Sequence, residues 1–416
     1  MRHDRRARKM IFGSKKKTLL LLGGSRQQTV AIEAAKRCGY ATVLCDYLPD
    51  NPGRLHADAF HLTSTTDRDA VLEVARSERV DGVIAYSSDP ASPTAAYVAE
   101  KLCLPTNPLR AVETMSTKNL FRDHMRATGL PCPKSASFDA GIGIDDLADL
   151  VEGVGYPVVM KPTDSSGSKG VSVALSADGI GMALDRARAA SRNGVLIAEQ
   201  HIEKAFPHVI GGDVFVLDGC IVFWGLMSCL RSSASSLIPI GKKTPSGLNR
   251  RQLQAVKAVL QRLVASLGIR FGELNVEVIV GRGDVPYVLE LGSRAGGNMI
   301  PVQLSDVSGA DLVEANVRCA MGEDPGPIEC DCDSGGAFST YVLHSLEDGV
   351  FERVLFSDEI GRHVYRSVLY ARPGDRVKRF DDASKALGIV FLRFDSADQM
   401  DEMLLNVDTH IKVVLR

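Results

Sequence analysis

Alternation between two hydrophobic periods is the feature that most narrows what this chain can fold into. Thr18–Leu22 is an unbroken apolar run that stops at Gly23-Gly24. From Thr29 the apolar residues move to helical spacing (Val30, Ala31, Ala34, Ala35, Cys38), and Gly39 follows as a C-cap. Ala41–Cys45 is apolar again and ends at Asp46, Asp69–Glu78 returns to helical spacing, and Val80–Tyr86 reads as a third strand. Strand and helix in this order predict a parallel sheet with helices on both faces. Such sheets bind ligands at the carboxyl ends of their strands. Gly23-Gly24, Asp46 and Ser87-Ser88-Asp89 all fall there. The run GGSRQQ lacks the GxGxxG spacing of a dinucleotide site.

With 416 residues the chain is too long for one core of ordinary size, so several domains are expected. Hydrophobic residues make up 45% and charged residues 24%, as in ordinary globular proteins. A net charge of −2 gives no reason to expect a nucleic-acid partner. No run approaches the roughly 20 apolar residues of a membrane span, so no membrane partner is expected either. Residues 1–17 form a basic tail with no apolar segment behind it, which reads as a disordered arm and not as a secretory signal. The nine cysteines are scattered, apart from Cys330 and Cys332. That spacing fits neither zinc knuckles nor a disulfide framework, and points to free thiols in a reducing cytoplasm.

Pro105, Pro108, Pro131 and Pro133 punctuate a boundary. They separate a first domain over 18–110, a helical linker over 111–134 and a new unit over 135–210. In that unit Pro157–Lys161, Val171–Ala174 and Val195–Gln200 read as strands, and Asp178–Arg192 as a helix. A further unit over 211–330 opens with two strands between 213 and 226, joined at Asp218-Gly219. The polar stretch 228–248 reads as loop. Arg251–Leu267 is an amphipathic helix, with Leu253, Val256, Leu260, Leu263 and Leu267 on one stripe and Gly268 as its stop. Residues 331–416 are β-rich, with one helix near Ala397–Val407.

After that helix comes GELNVEVIVGRGDVPYVLELGSRAGGN, residues 272–298. Val276–Val280 and Pro286–Leu291 read as a hairpin about a Gly-Arg-Gly-Asp turn. Pairing Gly281 with Pro286 and keeping the register places Glu277 opposite Glu290. Opposed side chains have Cβ atoms roughly 4.5–5.5 Å apart, where like charges repel. A carboxylate pair held this way suits a hard cation. Mg²⁺ in particular takes one or two carboxylates plus substrate phosphates.

Other residues point toward phosphate as well. VVMKPTDSSGSKGVSV delivers Lys161 on a strand. It then presents Ser165, Ser166, Gly167, Ser168, Lys169 and Gly170 as a small flexible loop before a second strand. Backbone N–H groups in such a loop make an anion-binding concavity, and small residues let it approach closely. The loop joins two strands, so it would be a hinged flap and not a Walker loop. Lys118 sits in MSTKNLFRDHMRATGLPCP. Glu199-Gln200-His201-Ile202 ends a strand at a domain boundary, where its backbone can meet an adenine edge. Arg294, in SRAGGN beside Gly296 and Gly297, can clamp a phosphate.

The order of these elements resembles the ATP-grasp superfamily, the branch of carbamoyl-phosphate synthase, biotin carboxylase and amino acid ligases, over roughly residues 18–410. The resemblance implies a mixed α/β and α+β protein: an N-terminal Rossmann-like parallel sheet, then a two-lobed ATP-grasp fold with ATP between the lobes. It implies that Lys118 and Lys161 contact the α- and β-phosphates and that residues 165–170 close over the triphosphate. Glu199, Gln200 and Ile202 would meet the adenine. Asp213 would reach the ribose or pocket wall, with Glu203 and His208 competing for that place. Glu277 and Glu290 would hold one or two Mg²⁺ ions (Mn²⁺ being possible), and Arg294 would steady the transferred phosphate. Many members carry Asn two residues after the second glutamate; here that position is Gly292, and Asn275 is the candidate substitute.

The implied activity is an ATP-dependent carboxylate–amine ligase working through an acyl phosphate. The alternatives are a bicarbonate-dependent carboxylating relative and a nucleotide-binding regulator without turnover. Gly24, Ser88 and Asn298 are candidates to line the acceptor site, and Arg231, Lys242 and Lys243 to bind a substrate carboxylate. A homodimer is a further expectation.

Overall fold

The computed structural model describes residues 16–232 and 235–416; the basic tail, apart from Lys16 and Lys17, lies outside the described residues. The first domain contains β1 (Thr18–Leu22), α1 (Thr29–Arg37), β2 (Ala41–Asp46), β3 (Ala59–Leu62), α2 (Arg68–Glu78), β4 (Gly82–Ile84) and α3 (Ser92–Lys101). The strands form a parallel four-stranded sheet in the order β3-β2-β1-β4. β1 is buried along its whole length, which is why its sequence is apolar without alternation. The edge strand β3 was not anticipated. It is only half-buried and carries a histidine, so its apolar signal is thin. Helices α4 (Leu109–Ser116) and α5 (Lys118–Ala127) follow.

The next unit has β5 (Ser135–Asp139), α6 (Ile144–Val154), β6 (Val158–Pro162), β7 (Ser172–Ala174), α7 (Ile180–Ala190) and β8 (Val195–Gln200). Its antiparallel sheet runs β5-β8-β6-β7. Leu147, Val151, Ile180 and Leu184 from the two helices bury against it.

Then come β9 (Ile210–Leu217), β10 (Cys220–Ser232), β11 (Ser235–Thr244), α8 (Arg250–Leu267), β12 (Gly272–Gly281), β13 (Val285–Gly292), α9 (Ile300–Ser308) and α10 (Leu312–Ala320). The amphipathic stripe on α8 packs Val256, Leu260 and Leu263 against β9, β12 and β13. Asn249 and Gln252 close a capping box at its start, and Gly268 ends it with φ +68°. The C-terminal part adds β14 (Cys330–Asp331), β15 (Ala337–Leu343), β16 (Gly349–Phe356), α11 (Asp358–Gly361), β17 (Val364–Leu369), β18 (Arg376–Val377), β19 (Gly388–Phe394), α12 (Ala397–Leu405), α13 (Val407–His410) and β20 (Ile411–Leu415). One nine-stranded sheet runs β13-β12-β9-β10-β11-β15-β19-β17, with β14 beside β10. It therefore crosses residue 330, the expected limit of the preceding unit.

The loop expected over 228–248 is a correction. Most of it is strand, the end of β10 and all of β11, in the middle of that sheet. Ser228, Lys243 and Thr244 are buried there, and each finds a partner. Ser228 donates to the Ser246 carbonyl at 2.6 Å, Thr244 donates to the Cys332 carbonyl at 3.1 Å, and Lys243 pairs with Asp401. Composition alone does not reveal such partners.

Candidate active site

β6 and β8 on one side and β12 and β13 on the other enclose a cavity of about 310 Å³. That lies within the range of small-molecule sites. Its polar lining includes Lys118, Lys161, Ser166, Gly167, Ser168, Glu199, Gln200, Arg231, Glu277 and Glu290. The apolar wall at the other end, Ile202, Val209, Ile279 and Leu289, was not anticipated apart from Ile202. Lys204 was also missed; it lines the same end, and burial lowers its pKa.

Glu277 and Glu290 are direct partners across the hairpin, but not through the expected register. The turn is one residue tighter, with Gly281 opposite Val285, and a bulge between Glu277 and Val278 restores the pairing. Two departures cancel. Burial, together with the charges of Asp89 and Glu277, pushes the Glu290 carboxyl above its ordinary range, against the pull of Lys118. Lys118 Nζ lies 3.8 Å from Glu290 and donates to the Ser165 carbonyl of the flap. Among the described residues no group of three or more His, Cys, Asp or Glu side chains is placed to hold a metal. A metal at this pair would complete its shell from phosphates and water. The flap itself takes left-handed backbone at Gly167 (φ +66°), Ser168 (φ +61°) and Gly170 (φ +74°). Gly170 packs against Ala190 and Pro162 at the flap's base, outside the cavity.

Arg122 was missed entirely. It is fully buried on α5, one helical turn after Lys118. Its guanidinium donates to both Glu199 oxygens at 3.0 and 3.3 Å and to the carbonyls of Val288 and Leu289 at 3.3 and 2.7 Å. Lys161 Nζ takes the other side of the same carboxylate at 2.6 Å. Burial alone would raise the Glu199 pKa, but the two cations outweigh it and bring it down to about 2. Burial pushes the Lys161 ammonium below its ordinary range, against the pull of Glu199. The Glu199 carboxylate, expected to meet adenine, is thus committed to Arg122 and Lys161.

Asp213 is a second correction. It is fully buried, away from the cavity lining, and accepts from Asn275 Nδ2 at 2.8 Å and Gly296 N at 2.9 Å. Burial raises its pKa, and burial together with the Asp213 charge raises that of Glu273. Asn275 stands opposite Gly292, but its amide nitrogen serves Asp213 and the Gly212 carbonyl. Glu203 is exposed and paired with Arg282 at 2.8 Å, and His208 is half-buried beside Phe206; neither lines the cavity. The space a side chain at 292 would take is filled instead. A Cβ there would lie 2.9 Å from Asp89 Oδ1 and 3.3 Å from the Arg294 guanidinium. Arg294 donates to Asp89 through two bonds of 2.7 and 2.6 Å, so it is held beside the cavity and not in it.

A second pocket of about 610 Å³ lies at the carboxyl ends of β1 and β2, beyond the flap. Ser88 and Asn298 line it, with Gly23, Arg26, Tyr370 and the flap residues Ser166 and Gly167. Gly24 does not; a side chain there would collide with Asn51. Lys242 and Lys243 are both buried and line neither pocket, and Lys243 pairs with Asp401.

Fold and cleft together are those of the ATP-grasp ligases. The chain belongs to the family of the carbamoyl-phosphate synthase L chain ATP-binding domain, whose family model matches residues 117–325. It is 33% identical over 177 residues to a formate-dependent phosphoribosylglycinamide formyltransferase from Parasynechococcus marenigrum. That alignment covers 42% of this chain and only 45% of the relative's length. A formyltransferase of the same name from a Synechococcus strain is 26% identical over 360 residues, covering 84% of this chain and 83% of its own. The crystal structure of an L-amino acid ligase from Bacillus licheniformis superposes with a TM-score of 0.78 at 20% identity, over 96% of this chain and 99% of that one. No helix among the described residues is long and apolar enough to cross a membrane.

Proposed function

We propose that this protein is an ATP-dependent carboxylate–amine ligase acting on small molecules. One observation carries the reading: two lysines, a small-residue flap and two register-matched glutamates line one cavity, and a second pocket opens beyond the flap. In this reading a carboxylate oxygen attacks the γ-phosphorus of ATP, the bond to the β-phosphate oxygen breaks, and ADP leaves. The amine nitrogen then attacks the acyl-phosphate carbonyl, phosphate leaves, and an amide forms with loss of a proton.

Such a reaction asks for positioning and charge neutralisation more than for covalent help. Lys118 and Lys161 would bind the phosphates, and Ser166, Gly167 and Ser168 would cover them. Gln200 and Ile202 would meet the base, with Ile279 and Leu289 as its apolar walls. Glu277 and Glu290 would hold Mg²⁺, or Mn²⁺, which when bound withdraws charge from the phosphoryl oxygens. The Asp89–Arg294 pair borders the γ-phosphate end. Ser88 and Asn298 would face the amine in the second pocket. We place the enzyme in the cytoplasm on its scattered cysteines, and size-exclusion chromatography tests the expected homodimer.

The relatives' names make formate one carboxylate to try, beside amino acids and bicarbonate. ADP release that needs both a carboxylate and an amine supports the ligase. Release with bicarbonate alone would move the protein to the carboxylating reading. Tight ATP binding with no release in any mixture would leave the regulator.

A further inference from the structure

Two adjacent buried lysines on β11 differ in one respect. Lys243 points to one face of the sheet and pairs with the Asp401 carboxylate. Lys242 points to the other face, is only 7% exposed, and its ammonium has a single partner among the described residues, the Cys229 thiol at 3.3 Å. A buried ammonium without an anion is costly, and proteins ordinarily pair it.

The register shows where this one points. Lys242 pairs with Cys229 on β10. Two residues along, on the same face, Met227 pairs with Gly211 on β9, and Gly211 pairs with Glu277 on β12. Gly211 has no side chain, and a Cβ built there would overlap the Lys242 ammonium and lie 2.8 Å from Cys229 Sγ. The lysine therefore reaches across two strands and rests over Gly211, one strand away from the glutamate pair. No ion pair within 4 Å joins it to Glu277 among the described residues.

We propose that Lys242 anchors the carboxylate of the substrate to be phosphorylated, holding it beside the Glu277–Glu290 pair through a charge-assisted hydrogen bond, with Gly211 as the opening that lets the ammonium through. This rests on the ligase reading, which supplies the carboxylate.

The test uses the full-length protein with K242M and G211A; the second keeps the lysine and closes its path, so a folding defect in the first does not decide the matter. The rise in melting temperature with Mg-ADP reads the nucleotide site. A further rise when formate, acetate or glycine is added to the complex with Mg²⁺ and a non-hydrolysable ATP analogue reads the anion subsite without turnover. Wild type is expected to show both. The variants should keep the first and need at least about tenfold more carboxylate for the second, the loss expected for one charge-assisted bond. Three results would overturn the anchor: variants that respond to carboxylate like wild type, a wild type that responds to nucleotide but to none of the three carboxylates, or variants that lose the nucleotide response, which would make Lys242 a phosphate ligand. Failure of the ligase reading looks different: a carboxylate response that depends on Lys242, with no ADP release in any carboxylate and amine mixture.

Discussion

Two charged clusters face each other across the cavity, and they are built on opposite plans. Arg122, Glu199 and Lys161 are almost fully buried, and each finds an opposite charge or a carbonyl within hydrogen-bond distance. Glu277 and Glu290 are partly exposed and stand side by side with the same sign; the nearest cation to Glu290 is Lys118, at 3.8 Å. The first cluster is satisfied without a ligand and ties α5 to β8 and β13. The second is left short of positive charge, where a cation and phosphates would supply what the protein omits. Burial with neutralisation makes a frame, and partial exposure with like charges makes a binding site.

The largest expected effect comes from breaking the frame. Arg122→Met leaves the Glu199 carboxylate short of one cation and two carbonyls without their donor. It should lower stability by about 3–5 kcal/mol, the cost of orphaning one partner of a buried ion pair, read by denaturant unfolding. A loss below about 1 kcal/mol would place Arg122 with ordinary surface pairs.

The same frame predicts an acid limb. Glu199 is depressed in the fold to about 2 from 4.5. Its contribution is therefore complete above the unfolded value and fades as pH falls toward 2. That drop corresponds to about 3 kcal/mol. Unfolding curves between pH 5 and about 2 should show this slope in wild type and not in Glu199→Gln, which cannot titrate there.

Glu290→Gln should give the reverse pairing of effects. Removing one of two opposed like charges relieves repulsion, so the melting temperature should stay level or rise. Losing a ligand should cut ADP release by about 100-fold or more, since even outer-shell partners of a metal are worth 10–100-fold. Retained activity would detach this pair from the metal.

What was legible in the sequence follows the same division. β1, α1 and α8 could be read because burial on one face or on both leaves a period in the chain. The Glu277–Glu290 pair could be read because both partners lie in one hairpin, although the tighter turn and the bulge had to cancel. β11 could not, because Lys243 and Thr244 are satisfied by Asp401 and Cys332, far along the chain. Nor could Arg122, since a buried arginine looks like any helix-surface arginine until Glu199 arrives from β8. Asp213 was misplaced for the same reason: an acid on a strand gives no sign of whether it faces a ligand or a glycine turn.

Gly292 gives the smallest and most local comparison, because it touches both plans at once. The residue two places beyond Glu290 has no side chain, and the Asp89–Arg294 pair occupies that space. Asp89 comes from the first domain and Arg294 from the turn after β13, so a neutralised pair of the frame type sits against the glutamates. Gly292→Ala puts a methyl 2.9 Å from Asp89 Oδ1, and the pair must move for it to fit. Overpacking of this size costs about 1–3 kcal/mol. If the pair only braces the domains, that cost should appear in unfolding, and ADP release by the folded protein should keep its KM for Mg-ATP. If the pair also sets the γ-phosphate end, KM for Mg-ATP should rise by about tenfold, and Asp89→Asn should reproduce that rise without any added methyl.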